Sequence, residues 1–140
     1  MTIRFAPSLL SADFSRLADE VADVETAGAD LLHLDIMDGH FVPTLTFGPL
    51  LVRSLASHTT VPLDAHLMVR TPDDLLSDLF TAKVARIAVH LETCNHLQRT
   101  LHRIREAGVE AGVAINPATA LQLLEDALPW LDFVLVMSVN

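Results

Sequence analysis

Short apolar runs alternate with longer amphipathic segments along this chain. The runs are RFAPSL (4–9), LLHLDIM (31–37), VPLDAHLM (61–68), RIAVH (86–90), EAGVAIN (110–116) and LDFVLVM (131–137). Between them lie helical patterns. From Phe14 to Ala27, apolar side chains at Leu17, Ala18, Val21, Val24 and Ala27 follow the i, i+3, i+4, i+7 spacing of one helix face, with Asp13 as N-cap and Gly28 as the stop. Thr71 is placed to cap a second helix with Pro72 at its first position. A third runs from Asn95 to Ala107 and is closed by Gly108, and a short one starts at Thr119 and ends before Pro129. Strands alternating with helices predict parallel βαβ units in an α/β protein. The runs are apolar on both faces, as expected when helices cover one side of a sheet and something fills the other. An open doubly wound sheet and a (β/α)₈ TIM barrel both fit, although no glycine-rich turn follows the first strand, which weighs against dinucleotide binding. Six predicted strands fall short of the eight of a barrel, and no helix follows the last run. No linker, low-complexity segment or shift of composition divides the chain, so residues 1–140 read as a single domain.

Composition narrows the class. Of 140 residues, 51% are apolar and 19% charged, a balance that builds a packed core rather than a disordered chain. The net charge is −9 and no basic cluster exists, which argues against a nucleic-acid partner or an anionic membrane surface. Cys94 is the only cysteine, so neither an internal disulfide nor a cysteine-based metal site is available. No signal-like apolar segment opens the chain, and no apolar run approaches the ~18 residues of a membrane span. A cytoplasmic location is expected.

The stretch HLDIMDGHFVP, beginning at His33, sets ionisable groups inside an apparently buried strand, where an unpartnered charge is costly. Side chains on a strand alternate faces, so His33, Asp35 and Met37 share one face and Leu32, Leu34 and Ile36 the other. In the third run Asp64, His66 and Met68 share a face, and in the last run Phe133, Leu135 and Met137 do. These groups gather toward the C-terminal ends of their strands, where βα proteins place active sites. If the second and third strands are neighbours, His33, Asp35 and His66 converge as a ligand set for zinc, iron, manganese or cobalt. Each group taken alone has a plain structural reading, as a buried ion pair, a hydrogen-bonded core histidine or a methionine core filler; three ligand-type groups at matching parity favour a site. Ser8 also reads as a cap of the turn into the first helix. His90 is a weaker site candidate. His40, His58, His96 and His102 read as surface or loop residues, and Asp73-Asp74 as the acidic first turn of a helix. No Ser/His/Asp nucleophile arrangement and no P-loop is visible.

The stretches APSLLSADF (6–14), AGADLLHLDIMDGHFVP (27–43), PLDAHLMV (62–69), the VH of 89–90, AGVAINPAT (111–119) and LVMSVN (135–140) together resemble the ribulose-phosphate 3-epimerase family. The resemblance runs the length of the chain, and HLDIMDGHFVP, HLMV and MSVN are its specific signals. It implies a (β/α)₈ barrel that interconverts D-ribulose 5-phosphate and D-xylulose 5-phosphate. One divalent metal ion would be held by His33, Asp35 and His66, with Asp35 also one of two acid/base carboxylates. Ser8 and His66 would contact the phosphosugar, and Met37, Met68 and Met137 would line the reacting carbons. Three departures touch no implied ligand: Thr44 where the family usually has Asn, no Gly-Ala before the fourth strand, and Ala65 for Val. The family continues after MSVN with a Pro-Gly-Phe-Gly-Gly loop, further βα units, the second catalytic Asp and a phosphate site. The chain is therefore expected to be an N-terminal portion, inactive by itself and part of a homo-oligomer when full length. A 3-epimerase of another phosphosugar such as allulose 6-phosphate, or a non-catalytic metal-binding or assembly module, are the alternative readings.

Overall fold

Five of the apolar runs form strands in a computed structural model that describes residues 2–139; Met1 and the final Asn140 of the MSVN stretch lie outside the described residues. The strands are β1 (Leu32–Met37), β2 (Leu63–Met68), β3 (Arg86–His90), β4 (Glu110–Ile115) and β5 (Phe133–Val136). They make one all-parallel sheet in the order β1-β2-β3-β4-β5, each strand beside its successor in the sequence. This is the α/β arrangement of a partial TIM barrel, with consecutive βα units laid side by side.

The first run, 4–9, corrects the expectation of six strands. It lies alongside β1 through backbone bonds from Asp30 and Leu31 N–H to Phe5 O and from His33 N–H to Pro7 O. Only Ser8 and His33 form a bridge. Pro7 has no N–H to return to a ladder, so the segment stays extended without becoming a regular strand.

The helices are α1 (Leu17–Thr26), α2 (Pro49–Leu55), α3 (Leu76–Thr81) and α4 (Leu97–Glu106). Asp13 caps as its sequence position predicts, accepting the Ser15 N–H, but a 3-10 turn over Phe14–Arg16 precedes the α-helical part. Gly28 and Gly108 end the turns after α1 and α4 at φ of 89° and 76°, a region that favours glycine. Thr71 makes no side-chain cap bond, and Pro72–Asp74 is a 3-10 turn ahead of α3. Asp73 does more than acidify that turn: it accepts from Arg103 Nη1 at 2.5 Å and Thr100 Oγ1 at 2.9 Å, joining the start of α3 to α4. The short helix predicted from Thr119 is two 3-10 turns, Leu121–Leu124 and Leu128–Trp130, and the second contains Pro129. α2 follows Gly48 with Pro49 in its first turn, a start signal to which the hydrophobic periodicity assigned no segment. No helix among the described residues is long and apolar enough to cross a membrane.

The core lies between the sheet and the helices. Leu32, Leu34 and Ile36 of β1 join Leu63, Ala65 and Leu67 of β2, Ile87 and Val89 of β3, and Ala111, Val113 and Ile115 of β4. Against them pack Leu17 and Val21 of α1, Val52 and Leu55 of α2, Leu76 and Leu79 of α3, and Leu101 and Ile104 of α4. This aliphatic layer fixes which residues face the other way.

On that other face, toward the N-terminal strand ends, Phe133 crosses β4 over Gly112. An added Cβ at Gly112 would fall 2.3 Å from the Phe133 ring. The Arg86 guanidinium sits 4.6 Å from the centre of the same ring, a cation–π contact. Gly112→Ala must push the ring aside, and is expected to destabilise the intact protein by about 1–3 kcal/mol in denaturant unfolding. In a Phe133→Leu background the same substitution should cost less, and a fully additive double-mutant cycle would remove Phe133 as the cause.

Candidate metal centre

The polar face of the sheet is organised by register. Parallel pairing of β1 with β2 sets His33 beside Asp64, Asp35 beside His66 and Met37 beside Met68. Imidazole and carboxylate therefore alternate both along each strand and across the pair.

Asp35 is the hub. Its Oδ1 lies 3.3 Å from His33 Nε2 and 3.0 Å from His66 Nδ1. Its Oδ2 accepts the Ser8 hydroxyl at 2.5 Å. Burial alone would raise the Asp35 pKa, but hydrogen bonds from His33, His66 and Ser8 outweigh it and hold the carboxyl well below the usual carboxylate range. Ser8 also accepts the Leu10 N–H and so caps the 3-10 turn Leu9–Ser11. One hydroxyl thus serves as the cap expected of it and also holds Asp35.

His33 is held from behind. Its Nδ1 is 2.6 Å from Asp64 Oδ2, and a carboxylate only accepts, so Nδ1 carries the proton. Asp64, 2% exposed, is in turn paired with Arg86, whose Nε is 2.8 Å from Oδ1 and whose Nη2 donates to Oδ2 at 2.9 Å. Buried ion pairs persist when each charge is answered in this way. Neutral His33 would turn its Nε2 lone pair onto the Asp35 carboxylate. A second proton resolves the conflict, and although burial lowers the His33 pKa, the hydrogen bonds it donates to Asp35 and Asp64 raise it to about 9. A divalent cation would resolve it equally well.

His66 and His90, each 1% exposed, lie deeper. Their Nε2 atoms are 2.9 Å apart, and His90 Nδ1 is 3.2 Å from Glu92 Oε2. Burial first, and then the neighbouring His66, push the His90 pKa below its ordinary value. His33, Asp35 and His66 each offer one ligand atom within 4.8 Å of the others, the donor set of a borderline divalent ion.

Above this set opens a cleft of about 560 Å³, lined by Asp35, Met37, Met68, His90, Asn116 and Met137, with Phe41–Thr44 and Leu10 at its rim. The three methionines expected to line a site all border this cleft. The loop after β1 is latched down. Thr46 Oγ1 donates to Asp35 O at 2.7 Å and accepts the Met37 N–H at 3.0 Å. Asp38, the second aspartate of the motif, accepts backbone N–H groups of His40, Phe41 and Arg70, so it organises the loop rather than joining the ligands. His40, His58, His96 and His102 are exposed, as expected. Burial raises the Cys94 thiol pKa to about 12, which leaves it protonated and unreactive.

Sequence reasoning missed Arg86 and Glu92, and it gave Asp64 a face but no role. Strand parity carried the signal for Asp64 and Arg86. Glu92 meets His90 two residues back through one oxygen, but the contacts that anchor its other oxygen come from Asn116 and Thr119, beyond β4.

The Ribulose-phosphate 3 epimerase family matches residues 4–140. The ribulose-phosphate 3-epimerase of Bacillus subtilis is 49% identical over 138 residues, covering 99% of this chain and 64% of that protein. The one from Synechocystis is 50% identical over 137 residues, 96% of this chain and 60% of that protein. The one from Escherichia coli K12 is 46% identical over 136 residues, again 96% and 60%. The chain thus spans between 57% and 64% of the length of the curated relatives it matches. With a family match from residue 4 to residue 140 and a parallel sheet carrying His33, Asp35 and His66 on its polar face, this chain belongs to the ribulose-phosphate 3-epimerase family.

Proposed function

We propose that this chain supplies the metal ligands and one acid/base carboxylate of an isomerase that interconverts D-ribulose 5-phosphate and D-xylulose 5-phosphate. The observation that carries the reading is the convergence of two imidazoles on Asp35 Oδ1, at 3.3 and 3.0 Å, at the floor of a cleft walled by three methionines.

Epimerisation beside a carbonyl removes a C–H proton from one face of the sugar and returns one to the other. A zinc, iron, manganese or cobalt ion held by His33, Asp35 and His66 supplies Lewis-acid stabilisation of the negative charge that develops. The chain's own residues do the rest. Asp35, held ionised, accepts the C3 proton on its face. Ser8 fixes the carboxylate through Oδ2. His66, 1% exposed and absent from the cleft lining, acts as a ligand from below the cleft rather than as a direct contact to the sugar. Met37, Met68 and Met137 wall the planar intermediate with polarisable groups that carry no exchangeable proton. Asp35 is the only carboxylate among the described residues lining the cleft, so proton delivery to the opposite face draws on a group outside this set.

Three outcomes test the reading in the intact protein. His33→Ala, Asp35→Ala and His66→Ala should each abolish stoichiometric divalent-metal retention after dialysis; full metal content in two of the three refutes the ligand set. Asp35→Asn preserves shape but removes the basic oxygen, so exchange of the substrate C3 proton with solvent deuterium should fall by about 10²-fold or more. Near-normal exchange excludes Asp35 as the base. Metal binding must also displace the extra proton of His33, whose pKa in the metal-free protein is about 9. Apparent metal affinity should therefore rise with pH by about tenfold per unit up to that value and then level. Calorimetry at pH 7 in buffers of different ionisation enthalpy should register about one proton released per ion, and no release would contradict the assignment.

A further inference from the structure

The proposed reaction leaves unused the groups behind His66. His90 ends β3 and stacks on His66, with ring centroids 5.0 Å apart and planes inclined by 27°. Its Nε2 is 2.9 Å from His66 Nε2, and its Nδ1 is 3.2 Å from Glu92 Oε2. The other Glu92 oxygen accepts the Asn116 N–H at 2.9 Å and the Thr119 hydroxyl. Phe41 covers His90 from the cleft side at 4.7 Å between centroids.

We propose that His90 and Glu92 are positioning residues for His66: they hold its proton on Nε2 and so turn its Nδ1 lone pair toward Asp35 Oδ1, ready for a divalent cation. The inference rests on the cation site proposed above and adds the device that sets one of its ligands.

The proton positions follow from what each group can do. A carboxylate accepts and does not donate, so Glu92 requires a proton on His90 Nδ1. Neutral His90 then has a bare Nε2. Its neighbour at 2.9 Å must donate, which places the His66 proton on Nε2. Asp35 Oδ1, 3.0 Å from His66 Nδ1, asks for a proton from the other end, so two neutral imidazoles between two carboxylates lack one positive charge; a divalent cation at Nδ1 would supply it and take the Nδ1 lone pair as its ligand. Glu92 cannot rotate away without giving up Asn116 and Thr119, which hold its far oxygen. The order of donation is thus His66 to His90 to Glu92, with Glu92 anchored from the opposite side. A partner that directs the second nitrogen of a ligand histidine sets the ring's tautomer and basicity. A histidine serving only as core filler would need neither the aligned nitrogen pair nor an anchored carboxylate behind it.

Cobalt(II) titrated into the metal-free intact protein tests this, because its visible absorption reports ligand geometry apart from turnover. His90→Gln keeps an acceptor toward His66 and a donor toward Glu92, whereas His90→Leu keeps neither. His90→Leu should weaken cobalt binding by about 10–100-fold with an altered spectrum, while His90→Gln stays within about threefold of the wild type. Wild-type affinity in His90→Leu, or equal losses in both variants, overturns the positioning role while the site reading stands. Undiminished binding in His66→Ala overturns the cation site itself. Nitrogen-15 correlation spectra of the wild-type zinc-loaded protein need no variant: they should show protons on His66 Nε2 and His90 Nδ1. A His90 proton found on Nε2 instead overturns the inference, whether or not any variant folds.

Discussion

The parallel register between β1 and β2 is the constraint on which the site depends. Leu32, Leu34 and Ile36 are all buried against the helices, and a strand has only two faces. Burying that set commits His33, Asp35 and Met37 to the opposite side. The same holds in β2, where Leu63, Ala65 and Leu67 commit Asp64, His66 and Met68. A slip of one residue in either strand would send a carboxylate or an imidazole into the aliphatic layer, where nothing could answer its charge. The apolar face thus specifies the polar one, and the chemistry is positioned by packing it does not touch.

Register alone would collect charges; their order makes them tolerable. Arg86, Asp64, His33, Asp35, His66, His90 and Glu92 form one chain of contacts across β1, β2 and both ends of β3. Cationic or donor groups stand between carboxylates at each step, so the desolvation of each is offset by its neighbours. Asp35 occupies the middle and is the member with access to the cleft. Its position reconciles two demands: buried partners fix its orientation, while one edge still faces the cleft.

The same arrangement separates the strand-borne groups from the segment that covers them. Asp64 and Arg86 lie toward the N-terminal ends of their strands and lock His33 from below. The 38–47 loop lies over the C-terminal ends and is held by Asp38 and Thr46 through backbone bonds. The candidate ligands therefore sit on strands, and the covering segment is a loop tied at both of its ends, as βα architectures allow.

By itself the sequence determined the alternation of strands and helices, the stops at Gly28 and Gly108, the cap at Asp13 and the face shared by His33, Asp35, Asp64 and His66. These are local properties: periodicity, left-handed glycine turns and strand parity are written within a few residues of one another. Only the tertiary structure decided the rest. It reduced the first run to an extended segment, since a ladder requires donors on both sides and Pro7 lacks one. It gave Asp73 its partners on α4 and Asp64 its Arg86, and it set Glu92 between His90 and the segment after β4. Those pairings join residues that are neighbours through sheet order and helix packing, and a carboxylate's partner is chosen by what the fold carries to within about 3 Å of it, not by what stands beside it in the chain.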